Sequence, residues 1–101
     1  MAFLCLLELD LHFPDNGDLK GKRKELQSLK AGFQQRFGAA VAETGHHDLW
    51  QRSTLTLVLV GGEQAPLAER ADSLQRYADA RLGDLTRWDR RMLTTDDVLD
   101  Y

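Results

Sequence analysis

Along "AFLCLLELDLHF" (residues 2–13) the second half alternates, with Leu7, Leu9, Leu11 and Phe13 on one side and Glu8, Asp10 and His12 on the other. A period of two belongs to a strand with one buried face. "PDNGD" then breaks the pattern with Pro14 and Gly17, and Asp18 stands where a helix N-cap belongs, ahead of Leu19. The period now lengthens. Leu19, Leu26, Leu29, Phe33 and Phe37 make one helical stripe that ends at Gly38. "AAVAET" (39–44) predicts a second strand, "GHHD" (45–48) a turn, and "LWQRSTLTLVLVGG" (49–62) a third strand with Leu55, Leu57 and Leu59 inward. Pro66 opens a second helix that turns Leu67, Ala71, Leu74, Ala78 and Leu82 inward and stops at Gly83. "DLTRWDRRML" (84–93) predicts a fourth strand despite poor alternation, and "TTDDVLDY" a frayed acidic tail.

Strand, helix, strand, strand, helix, strand is the order of an α+β ferredoxin-like split βαβ sandwich. Four antiparallel strands form its sheet, with two helices on one face. At 101 residues the chain fits one such domain, over 1–95, with 96–101 as the acidic tail. The topology also gathers residues. The first strand ends where the first helix begins, and both the 45–48 turn and the 83–84 link fall at that same end. His12, Lys20, Lys22, Arg23, His46, His47, Asp48, Trp50 and Arg52 are therefore expected together.

Charge sharpens this picture. Residues 18–37 carry six Lys/Arg and two Asp/Glu, net +4, inside a chain of formal net charge −3. Such a local basic face attracts polyanions that an acidic body otherwise repels. Cys5 is the sole cysteine, so no internal disulfide forms and a reducing, cytoplasmic setting is expected. In its strand pattern it reads as a small buried hydrophobe. The apolar start lacks a basic n-region, and Glu8 and Asp10 interrupt it, so neither a signal peptide nor a membrane span is expected.

The candidate site begins with Lys20, Lys22, Arg23 and Lys24, four cations within five residues at a helix start. Backbone N–H groups free at that terminus favour phosphate contacts or a small anion. A solvated face pairing with Glu8, Asp10 or Asp48 explains the same cluster. Lys22 falls beside the Leu26–Phe33 stripe, so it must snorkel or reach a partner. Trp50 and Arg52 share a strand face in this reading, and Trp50 offers a stacking platform next to the cations. The alternative has Trp50 capping the sheet and Arg52 pairing with an acid such as Asp10.

His12, His46, His47 and Asp48 invite a metal assignment, but no H-x₃-H or C-x₂-C spacing supports it. Neither metal nor cofactor is expected. Ser53 is expected to pack inward, and no nucleophile joins these residues. On the open sheet face Glu8, Asp10, Thr54 and Thr56 replace the central aromatics of an RNA-recognition motif. Below them Leu4, Leu6, Val58 and Val60 form an apolar strip suited to another subunit.

The blocks "LELDLHFPDNGDLKGKRKELQSLK" (7–30) and "VAETGHHDLWQRSTLTLVLV" (41–60) resemble the YlxP-like family of small bacterial proteins, whose function is unknown. The resemblance rests on Leu11, His12, Pro14, the Leu19-Lys20-x-Lys22-Arg23 run, and Asp48-Leu49-Trp50-Gln51-Arg52. Asp10, Asp18, Gly21 and Lys24 depart from the family's Glu, Ser, Glu and Arg. The resemblance implies a ferredoxin-like fold. Through the family's usual gene company with translation and ribosome-maturation factors it also implies an RNA-related role, with no catalytic residue.

The expectation is thus a non-enzymatic, cytoplasmic RNA- or ribosome-associated factor, with Lys20, Lys22, Arg23, Lys24, Trp50, Arg52, His12 and His47 as contacts. A homodimeric interaction module with internally paired cations is the alternative. An enzyme handling metal or phosphate esters through His12, His46 and Asp48 comes third.

Overall fold

A computed structural model describes residues 1–14 and 17–99, apart from the side chain of Asp84. Strand β1 (Phe3–His12) leads into helix α1 (Leu19–Phe37), then β2 (Ala40–Gly45) and β3 (Arg52–Gly61). Helix α2 (Gln64–Leu82) follows, then one 3₁₀ turn (Gly83–Leu85), β4 (Thr86–Thr94) and a short helix α3 (Thr95–Leu99). The sheet order is β2-β3-β1-β4, and each neighbouring pair is antiparallel. This is the ferredoxin-like split βαβ sandwich.

The alternation in β1 is realised: Cys5, Leu7, Leu9 and Leu11 are buried, and so are Leu55, Leu57 and Leu59 opposite them on β3. Against them α1 lays Leu26, Leu29 and Phe33, and α2 lays Leu67, Ala71, Leu74 and Ala78. Asp18 caps α1 by accepting the Gly21 N–H at 2.7 Å. Gly38 ends it at φ 67°, a left-handed conformation that glycine adopts without a Cβ penalty. The two helices meet at Gly32, where a Cβ would fall 2.0 Å from the Tyr77 hydroxyl. Tyr77 also contacts the rings of Phe33 and Phe37.

Several boundaries differ from the sequence reading. β3 begins at Arg52, not at Leu49, because residues 46–51 are needed to turn the chain. Helix α2 starts two residues ahead of Pro66, whose missing N–H costs nothing in a first turn. The stretch expected to fray instead forms α3. Its start is a reciprocal cap: Asp97 Oδ2 accepts the Thr94 N–H, and Thr94 Oγ1 accepts the Asp97 N–H. Thr95 further ties it to Ala2, through its N–H at 2.9 Å and its hydroxyl at 3.0 Å. Residues 100 and 101 of the expected tail lie outside the described residues.

Among the described residues, α1 and α2 both pack on the first sheet face, not the second. Leu4, Val60 and Leu93 are cross-strand neighbours there, as are Leu6 and Val58. Leu6 is 38% exposed and Val60 58%.

Candidate nucleic-acid interface

Lys22 is the first surprise of the site. Its side chain is 2% exposed, and its ammonium donates to the backbone carbonyls of His46 at 2.5 Å and His47 at 3.3 Å. A salt bridge to Glu43 Oε2 at 3.1 Å completes its surroundings. The same carboxylate oxygen accepts the Ser53 hydroxyl at 2.6 Å. Burial alone would raise the Glu43 carboxyl, but the Ser53 hydroxyl and the Lys22 ammonium outweigh it and hold it below the usual carboxylate range.

An ammonium has three N–H donors, and here three acceptors take them. Lys22, expected as a phosphate contact, is thus taken up inside the fold, and its acid is Glu43, not Glu8, Asp10 or Asp48. It secures the 46–51 loop. His46 holds φ 60°, an unusual value for a residue with a Cβ, and Lys22 grips its carbonyl. The other end of the loop is tied to β1 by the Phe13 N–H on the Gln51 carbonyl at 2.6 Å and by Gln51 Nε2 on the Pro14 carbonyl at 3.2 Å.

The rest of the basic cluster stays at the surface, and its i, i+3, i+4 spacing keeps it on one face of α1. Lys20, Arg23 and Lys24 are exposed and form no ion pair among the described residues. Lys24 borders a groove between the start of α1 and the end of α2, along with Phe13, Pro14 and Arg81. His47 turns its ring back to the Glu43 carbonyl, with Nε2 at 3.1 Å. Trp50 does not share a strand face with Arg52, because it lies in the loop before β3, with 53% of its surface exposed.

What the fold does bring together lies at the ends of β1, β3 and β4. His12 and Arg52 sit opposite each other and line two adjoining depressions. One, of about 410 Å³, continues over Asp48, Leu49, Trp50 and Gln51. The other, of about 440 Å³, continues over Asp10, Leu11, Leu85, Thr86 and Arg87. Sequence reasoning missed Arg87 and the role of Asp10 here. The β1–β4 register that sets them side by side was hidden by the irregular alternation of β4. Asp10 is not paired with Arg52; its Oδ1 accepts the Thr54 hydroxyl at 2.7 Å.

The site carries an exposed indole and two guanidinium groups, and Ser53 is buried with its hydroxyl on Glu43. Among the described residues no three His, Cys, Asp or Glu side chains gather to hold a metal ion, and no helix is long and apolar enough to cross a membrane. Cys5 is buried in the core, and burial pushes its thiol up.

Fold and site thus define a small ferredoxin-like domain with an exposed tryptophan and two arginines at one end. The chain belongs to the family described as a protein of unknown function (DUF503), which it matches over residues 4–92. It is similar to the uncharacterized protein YlxP of Bacillus subtilis (strain 168), 26% identical over 66 residues, which cover 65% of this chain and 72% of that protein. Among solved structures it is similar to the de novo designed protein Foldit4, with TM-score 0.60 and 7% identity over 94% of this chain and 99% of that one. The 30S ribosomal protein S6 of Thermotoga maritima aligns with TM-score 0.55 and 8% identity, over 97% of this chain and 92% of its own. At such identities the structures show a shared fold and nothing of function.

Proposed function

We propose that this chain is a non-enzymatic, cytoplasmic RNA- or ribosome-associated binding factor. The observation that carries the reading is the pair of adjoining depressions. They set the exposed ring of Trp50 beside Arg52, and Arg52 beside Arg87. Stacking platforms next to cations are how single strands are held, since every base has a π-face and every step a phosphate. The contacts accordingly move from the helix start to the strand ends: Trp50, Arg52, His12 and Arg87.

Fractionation of cells carrying the tagged chain tests this. The protein is expected to travel with RNA or ribosomal particles and to lose them in the Trp50→Ala/Arg52→Ala variant. Wild-type protein that sediments free of RNA overturns the reading.

A second reading rests on the open face. Leu4, Leu6, Val58, Val60 and Leu93 leave an apolar strip that a second copy of the chain would cover. A homodimer across this strip is compatible with RNA at the strand ends.

A further inference from the structure

The larger of the two depressions has a mixed lining that phosphate does not explain. Arg52 and Arg87 bring only donors, whereas the carboxylate of Asp10 brings only acceptors. Asp10 and Arg87 are direct cross-strand partners, yet no ion pair joins Asp10 to either arginine. The Thr54 hydroxyl fixes one oxygen of Asp10 and leaves the second. Leu11 and Leu85 supply apolar surface beside them. A phosphate placed here would meet a carboxylate. A base edge would meet both kinds of partner.

We propose that this depression reads a guanine in single-stranded RNA, with Asp10 and Arg87 as the specificity-determining pair; the proposal rests on the RNA-binding reading above. Guanine offers two adjacent acceptors, O6 and N7, which suit an arginine fork. On its other edge N1–H and the N2 amino group are two adjacent donors, which suit a carboxylate. Adenine turns an acceptor, N1, toward that carboxylate and loses the match. Arg52, common to both depressions, then holds the linking phosphate, and Trp50 stacks the neighbouring base.

The test uses uridine nonamers with one central guanosine, inosine or adenosine, titrated against the full chain by fluorescence anisotropy. Guanosine is expected to bind about tenfold more tightly than adenosine, within the range one well-made base contact provides. Inosine, lacking the N2 amino group, should fall between. Asp10→Asn keeps an acceptor for Thr54 and should erase the preference, as should Arg87→Met. Equal affinity for all three RNAs overturns the guanine pocket and leaves the RNA reading intact. A preference that survives Asp10→Asn overturns the role of Asp10. No binding to any nonamer overturns the RNA reading and this proposal with it.

Discussion

Lys22 Nζ lies 3.1 Å from Glu43 Oε2, joining the first turn of α1 to the end of β2, with Lys22 buried and Glu43 mostly so. Removing one partner of a buried pair leaves the other charged and unmatched, at a cost of about 3 kcal/mol. Lys22→Met is expected to lose about that much in urea denaturation. Lys20→Ala, on the exposed side of the same turn, should change stability by less than ~0.5 kcal/mol. Similar midpoints for the two variants would show that the pair does not hold the fold.

The same pair predicts a pH dependence. The Glu43 carboxyl is held below its ordinary value in the folded chain, so the unfolded chain takes up its proton first as pH falls. Its contribution is present above the unfolded value and is lost as pH drops through the folded one. Urea midpoints measured between pH 6 and pH 3 should show wild type losing its advantage over Glu43→Gln. A constant gap across that window would mean the carboxylate is not what the pair depends on.

Gly32→Ala tests the helix contact. Alanine favours a helix by about 1 kcal/mol over glycine, but its Cβ would sit 2.0 Å from the Tyr77 hydroxyl oxygen. Tyr77 must then move off Phe33 and Phe37 and give up its hydroxyl bond with Arg81. Overpacking of this kind typically costs about 1–3 kcal/mol. A lowered melting temperature is expected, and a raised one would show that the ring yields freely.

Hydrophobic period and caps carried most of the fold. Asp18, Gly38 and Gly83 fall where the sequence places helix ends, because each has a local reason to be there. Long-range geometry was less legible. That Lys22 lies near the apolar stripe follows from helical spacing, but its acid depends on how β2 comes to rest, which no local pattern encodes. The run "LWQRSTLTLV" is apolar enough to read as strand throughout and so places Trp50 on β3, whereas the chain needs residues 49–51 to turn. The basic cluster looked like one patch in sequence. Helical rotation sends Lys22 inward and keeps Lys20, Arg23 and Lys24 on the outer face.

The apolar strip makes its own prediction. If a second copy covers Leu6 and Val60, light scattering at micromolar concentration should give twice the chain mass, and Val60→Asp should restore a monomer. A wild-type monomer throughout removes the dimer without touching the RNA reading.

Salt dependence of RNA binding tests the central claim most directly. On a single strand each phosphate contact contributes roughly −0.7 to the slope of log affinity against log salt. Wild type should show a negative slope, and Arg52→Ala should flatten it by about 0.7. Trp50→Ala should weaken binding with little change of slope, because stacking releases no counterions. Wild-type protein whose association with single-stranded RNA does not vary with salt would contradict the account.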